Sequence, residues 1–191
     1  MPLCVTIARA VRTERTDVLH FGKVHMRSKI SFFSVAAFIV LVDQVSKKFF
    51  ESFLLSVEGH SVKAVGENFA RFTLAYNEGI AFSIPMGGRY VLSAISIIAS
   101  SVIVWLIIKT PVSKRVELWG YSFILGGAVG NLIDRVFYGR VIDFIDCDFF
   151  DIIMERWPIF NFADSFITIG MFFLVFHFIF LDKKSEKQPE L

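Results

Sequence analysis

Four aspartates stand in or beside apolar stretches of this chain: Asp43, Asp134, Asp143 and Asp164. An ionisable side chain at membrane depth is costly to keep there, so each is a functional candidate that needs a named partner. Two carboxyls held close together away from bulk water do not readily both ionise, so one keeps its proton while the other accepts one. Such a pair can hydrolyse an amide. The charged member acts as general base on the attacking water, and the protonated member polarises the scissile carbonyl and then protonates the leaving amine. No metal or cofactor is required. Competing sets are poorer: His20, His25, His60 and His177 have no neighbouring ligands, and there is no HExxH motif. His177 reads as a packed or interfacial histidine. Ser46 and Lys47 are adjacent, so on a helix they diverge by about 100° and form no serine/lysine dyad. Cys4 and Cys147 lie far apart and outside any CxxC motif, which suggests neither a disulfide framework nor a zinc site.

The elements that must position these groups are set by composition. The chain has 191 residues, 54% of them apolar, 23 Phe and only 20% charged, a more hydrophobic balance than that of an ordinary soluble domain. That length holds one domain and no separate catalytic module. A net charge of +2 excludes a large basic surface and with it a nucleic-acid partner. Tyr90–Ile108, Leu118–Ile133 and Ser165–Leu181 are free of charged residues and close to the length that crosses a bilayer. Ile30–Val42 reaches that length only by carrying Asp43 and continuing towards Phe50. No small-residue cleavage site follows Val42, so this first span is read as a retained helix.

Four spans with both termini cytoplasmic place twelve Lys and Arg on the inner side and eight on the outer, in agreement with the positive-inside bias. Asp164 then lies 17 residues ahead of Leu181, about 25 Å of helix, near the outer hydrocarbon boundary. Asp143 must sit at similar height. In the outer segment from 51 to 89, the stretch Asn68–Tyr76 alternates Phe72, Leu74 and Tyr76 with Arg71, Thr73 and Ala75, the pattern of a half-buried strand. Gly79, Gly87 and Gly88 mark turns. A small sheet on the membrane surface is expected. The outer segment from 135 to 158, with Phe144, Phe149, Phe150 and Trp157 among Asp146, Asp148 and Asp151, is expected to lie in the interface. Gly126 and Gly130 form a small-xxx-small pair suited to close helix packing. The expected organisation is a polar arm over residues 1–28, whose Met26 is a second possible start, a single four-helix domain over 29–182 and a polar cytoplasmic tail over 183–191.

Four blocks of the sequence resemble signal peptidase II, the bacterial lipoprotein signal peptidase: Asp43-Gln-Val-Ser-Lys47, FTLAYNEGIAFS from Phe72 to Ser83, GGAVGNLIDRVFYGRVIDF from Gly126 to Phe144, and FNFADS from Phe160 to Ser165. The resemblance implies that Asp143 and Asp164 are the catalytic aspartates and that Asp134 supports them. It also implies that Asn77, Gly79, Asn131, Arg135, Asn161 and Ala163 line the site or hold substrate. Physically, Arg135 can bridge carboxylates or a carbonyl through its planar fork, and the asparagines can satisfy an extended peptide backbone. Asp43 and Lys47 have the i, i+4 spacing of a helix ion pair and are read as structural. Where the family commonly has Ala, this chain has Ile80, which affects pocket shape more than chemistry.

The function so implied is intramembrane aspartyl cleavage of a diacylglyceryl-modified prolipoprotein, on the N-terminal side of the lipidated cysteine. It needs no cofactor, takes place at the outer face of the bacterial inner membrane in contact with membrane lipid, and is open to globomycin-type inhibitors. A small proton or ion transporter is the rival from another class. It calls for ionisable groups distributed in depth, whereas Asp134, Asp143 and Asp164 gather at one face. A non-enzymatic scaffold would tolerate Asn in place of both aspartates.

Overall fold

The computed structural model describes residues 2–66, 69–79, 88–148 and 157–181. Helix α1 runs over Pro2–Leu55, α2 over Gly88–Lys109 and α3 over Arg115–Tyr138. Helix α4 runs over Phe162–Phe176 and continues into a π turn, His177–Leu181. Strands β1 (Ser61–Val65) and β2 (Ala70–Asn77) follow α1, and β3 (Val141–Cys147) follows α3. Among the described residues, four helical stretches are long and apolar enough to cross a membrane: Lys29–Leu55, Tyr90–Lys109, Arg115–Tyr138 and Phe162–Leu181. Each expected span is present, and the first does reach its length by carrying Asp43 and running past Phe50.

Helix α1 shows why a span can carry charge. Phe32, Ala36, Ile39, Asp43 and Lys47 recur at three- and four-residue steps and are buried, while Phe38, Leu41, Val45 and Phe49 on the other face are exposed. The exposed apolar face suits lipid, since the helix satisfies its own backbone. Helix α3 lies centrally, in contact with α1, α2 and α4. Its approach to α1 depends on bare backbone: a Cβ at Gly130 would lie 2.5 Å from Asp43 Oδ2, and one at Gly126 would lie 2.7 Å from Ile39 Cβ. At the end of the bundle away from the sheet, Phe32, Ala36, Ile107, Leu118, Tyr121 and Leu125 form an apolar core, with Trp119 edge-on to Phe32 at 5.0 Å.

The three strands form an antiparallel sheet in the order β1-β2-β3. Ser61 pairs with Thr73, and Ala75 pairs with Asp143 beyond an irregularity between Phe72 and Ala75. The alternation seen in the sequence belongs to β2. The third strand is a departure from the interfacial segment expected over 135–158. Its first residues complete α3, which Gly139 ends at φ 75° by donating its N–H to Arg135 O at 3.1 Å. This left-handed turn, natural for glycine, sends the chain back as β3. Strand β3 is covered on both faces, so it reads as a nearly continuous apolar run with no period-two signal. Phe144 is fully buried and stacks on Phe50 at 4.3 Å, instead of lying in the interface, whereas Trp157 is exposed. Gly88 opens α2 instead of a turn. Asn68, Ile80, Gly87, Phe149, Phe150, Asp151 and residues 183–191 lie outside the described residues.

Beyond β3, Phe144 and Ile145 donate their N–H groups to Phe160 O at 3.1 and 2.8 Å, and Phe160 N–H returns to Ile145 O at 3.0 Å. This short bridge carries the chain alongside β3 just before α4 begins. It brings the strand that bears Asp143 against the first turn of the helix that bears Asp164.

Candidate functional site

The site is organised by the start of α4. Asn161, in extended conformation, is its N-cap: Asn161 Oδ1 accepts the Asp164 N–H at 3.0 Å, and Asp164 Oδ2 accepts the Asn161 N–H at 3.2 Å. This reciprocal capping box satisfies backbone donors that a helix start otherwise leaves open. It also fixes the Asp164 carboxyl in the first turn. The amide nitrogen of Asn161 faces the other way and donates to Asp143 Oδ1 at 2.6 Å, with longer contacts to Asn131 Oδ1 at 3.2 Å and Ile142 O at 3.4 Å. One buried asparagine therefore touches both carboxyls.

Further donors complete the pair. Asn131 Nδ2 donates to Asp164 Oδ1 at 2.8 Å, and Asn77 Nδ2 donates to Asp143 Oδ2 at 3.2 Å. The Asn77 amide is oriented in turn by the Gly79 N–H, 3.0 Å from its Oδ1. Asp143 is only 2% exposed. Burial first, and the neighbouring Asp164 charge second, push its carboxyl up from 3.8 to about 7, against the opposing pull of the Asn77 and Asn161 amides. A carboxyl that titrates there can hold a proton near neutral pH and give it up during a reaction.

Both aspartates open onto a cavity of about 270 Å³. Asn77, Asn131 and Arg135 line it with them, and its remaining wall is Val141, Trp157, Pro158, Ile159, Phe160, Ile167 and Thr168. Polar groups thus occupy one side of a mostly apolar chamber, the form of a site that holds an extended, largely apolar ligand. Gly79, Asp134, Asn161 and Ala163 are outside this lining. Gly79 O accepts a long 3.4 Å contact from Arg135 Nη2. Asp134 and Ala163 lie behind the chamber, in a second polar layer.

That layer is centred on Lys47, which is 1% exposed. Its ammonium lies 2.7 Å from Asp43 Oδ2 and 2.9 Å from Asp134 Oδ2, and donates to Asn131 Oδ1 at 2.8 Å. Asp43 Oδ1 accepts the Ala163 N–H at 3.0 Å, and Asp134 Oδ2 accepts the Ile142 N–H at 3.4 Å. Ser46 Oγ donates to Asp43 O at 2.8 Å, so Ser46 and Lys47 serve different partners. The sequence reading left one member unassigned: Gln44 Nε2 donates to Asp134 Oδ1 at 2.9 Å and Gly130 O at 3.1 Å, joining α1 to α3. Its signal was its place inside the Asp43–Lys47 block. The apolar wall over 157–160 carries no comparable signal.

His177 lies away from this site. It is buried, with Nε2 3.3 Å from Glu117 Oε2, and Tyr121 OH donates to the other Glu117 oxygen at 2.9 Å.

Residues 35–180 match the family model of signal peptidase (SPase) II. A lipoprotein signal peptidase of Francisella tularensis subsp. novicida is 39% identical over 165 residues, covering 84% of this chain and 98% of that protein. One of Psychromonas ingrahamii is 38% identical over 169 residues, covering 86% of this chain and 94% of that protein. A solved bacterial membrane enzyme structure superposes with a TM-score of 0.69 at 31% identity, over 84% of this chain and 93% of that one. With four membrane-length helices, a small antiparallel sheet and this similarity over most of its length, the chain belongs to the signal peptidase II family, multi-pass membrane peptidases of aspartic family A8 that process lipoprotein signal peptides.

Proposed function

We propose that Asp143 and Asp164 are the catalytic pair and that the enzyme cleaves diacylglyceryl-modified prolipoproteins on the N-terminal side of the lipidated cysteine. The observation that carries this reading is the junction at Asn161, whose backbone and side-chain donors engage the two carboxyls at 3.2 and 2.6 Å beside one cavity. In the reaction, one carboxylate takes a proton from water as the water oxygen bonds to the scissile carbonyl carbon. The protonated partner polarises the carbonyl oxygen by donating a hydrogen bond to it. When the tetrahedral intermediate collapses, the C–N bond breaks as that partner protonates the leaving amine, and the proton taken from water passes between the two carboxyls to restore the pair. Asn77, Asn131 and Arg135, on the chamber wall, hold the peptide backbone, while Gly79, Asp134, Asn161 and Ala163 support them. Asp43 and Lys47 are structural in this reading.

The apolar wall formed by Trp157, Pro158, Ile159 and Ile167 suits the substrate's acyl chains and the surrounding membrane lipid, and a globomycin-type cyclic peptide would occupy the same place. The domain is taken as residues 29–182 between a polar arm and a polar tail, in the bacterial inner membrane. Both termini are cytoplasmic and the site is at the outer face, because the basic residues favour that orientation. The test is gel-resolved cleavage of a lipid-modified prolipoprotein by purified protein. Asp143→Asn and Asp164→Asn, at matched folded amounts, should each lower the rate at least about 10³-fold. Retention of more than a tenth of wild-type activity by either variant would remove that residue from the pair.

A further inference from the structure

Lys47 does more than neutralise its neighbours. An ammonium has three donors and no acceptor, and here all three are used: two on the carboxylates of Asp43 and Asp134, the third on the neutral amide oxygen of Asn131 at 2.8 Å. Charge balance does not call for that third contact. It does settle how Asn131 points. A flipped amide would turn its NH₂ towards the ammonium, donor against donor, so Oδ1 must face Lys47 and Nδ2 must face Asp164 Oδ1, 2.8 Å away. Asn161 Nδ2 reinforces the same orientation from the other side at 3.2 Å.

Asp164 therefore accepts on both oxygens: on Oδ1 from an amide backed by a buried cation, and on Oδ2 from the Asn161 N–H. Asp143 likewise accepts on both oxygens, so what separates the two is the cation behind the Asn131 amide and the depth of burial. Asp143 also has two amide donors, but neither bears on an ammonium directly: the Asn77 oxygen takes the Gly79 N–H, and the Asn161 oxygen takes the Asp164 N–H. Asp143 is also nearly fully buried, whereas Asp164 is half-buried. The charged groups around Asp164 are Asp43 and Lys47 from α1, Asp134 and Arg135 from α3, and Asp143 from β3. Four carboxyls against two cations leave room for one shared proton.

We infer that Lys47 is a positioning residue that acts through Asn131, holding that amide so that Asp164 is the ionised base and Asp143 carries the proton. The inference rests on the aspartyl reading above. Lys47 lines no part of the chamber, so its effect on the chemical step passes through Asn131.

The test uses the full chain in detergent or bilayer with a lipid-modified prolipoprotein as substrate. Lys47→Met is expected to lower kcat by about 10- to 100-fold with KM within about twofold, and to move the acid limb of the kcat profile up by about one pH unit. Asn131→Asp keeps an oxygen towards Lys47 and puts a second carboxyl oxygen in place of the NH₂ that faces Asp164, so it removes that donor and adds like charge beside Asp164. It leaves the buried carboxylates with their cation, and it should move the limb in the same direction even where Lys47→Met does not fold. Infrared titration supplies a readout independent of turnover: the protonated-carboxyl band present at pH 6 should vanish in Asp143→Asn and persist in Asp164→Asn. An acid limb unmoved in the variants that fold, or the reverse infrared pattern, would overturn the inference. Wild-type protein that leaves every lipidated substrate uncut, or Asp164→Asn that cuts at the wild-type rate, would instead sink the aspartyl reading itself.

Discussion

Replacing Asp143 by Asn should stabilise the protein at pH 8 while abolishing its activity. The carboxyl titrates at about 7 in the folded protein and at 3.8 when ordinarily solvated. Because the folded value is raised, the stability associated with this group is fully present below pH 3.8, is lost as pH climbs through the window to about 7, and stays lost above it. A difference of roughly three in pKa, at about 1.4 kcal/mol for each, amounts to ~4 kcal/mol. Asn cannot ionise, so the variant escapes this loss. It has its own cost, independent of pH, of ~1 kcal/mol, because one side of the new amide turns an NH₂ towards the Asn77 NH₂. The variant should thus be slightly less stable than wild type near pH 4 and more stable by ~3 kcal/mol at pH 8. In thermal unfolding followed by tryptophan fluorescence in micelles, that is a gain of roughly 6–12 °C at pH 8. Two unfolding profiles that stay parallel from pH 4 to 8 would refute the reasoning, since they would mean that Asp143 ionises as readily in the fold as in water.

Gly130→Ala would place a methyl group 2.5 Å from Asp43 Oδ2, pushing α1 away from α3 and loosening the Lys47 ion pairs. It should cost about 3 kcal/mol or more in thermal stability, whereas Gly59→Ala, with open space around it but φ +74°, should cost only ~1 kcal/mol. Phe50→Ala removes the ring stacked between Phe144 at 4.3 Å and Phe72 at 4.5 Å. It should cost about 3–5 kcal/mol and speed hydrogen exchange at the amides of β2 and β3 while sparing those of α2. Thr73→Val deletes the 2.8 Å hydrogen bond to the buried Asp146 and should lower stability by ~1–3 kcal/mol, read as a lower denaturation midpoint.

The four spans were legible because lipid imposes a simple rule of length and apolarity, and Asp43 disturbed only the first of them. Helical spacing also showed that Asp43 and Lys47 share a face. It could not show that Asp134, 87 residues beyond Lys47, completes their charge balance, or that Gln44 links the two helices, since both facts depend on how α1 lies against α3. Strand β2 was visible through the alternation of Phe72, Leu74 and Tyr76 with Arg71, Thr73 and Ala75, and it is half-buried along nearly its whole length. Strand β3 was not, because burial on both faces erases that alternation, and Phe144 in the core is chemically indistinguishable in sequence from a phenylalanine at the interface. Asp143 and Asp164 stood out by motif, but their meeting depends on the Phe160 bridge to Ile145, a backbone contact that no side-chain pattern encodes.

The capping box at the start of α4 has a consequence for evolutionary drift. Asn161 begins a helix with its N–H and Oδ1 and holds the Asp143 carboxyl with its Nδ2, and Asp164 closes that box with the oxygen opposite the one held by Asn131. A single inserted or deleted residue between them would turn the carboxyl by more than a quarter of a revolution about the helix axis and would also undo the cap. Length changes in descendants of this gene must therefore accumulate in the connections between spans, while the four residues from Asn161 to Asp164 stay a fixed measure.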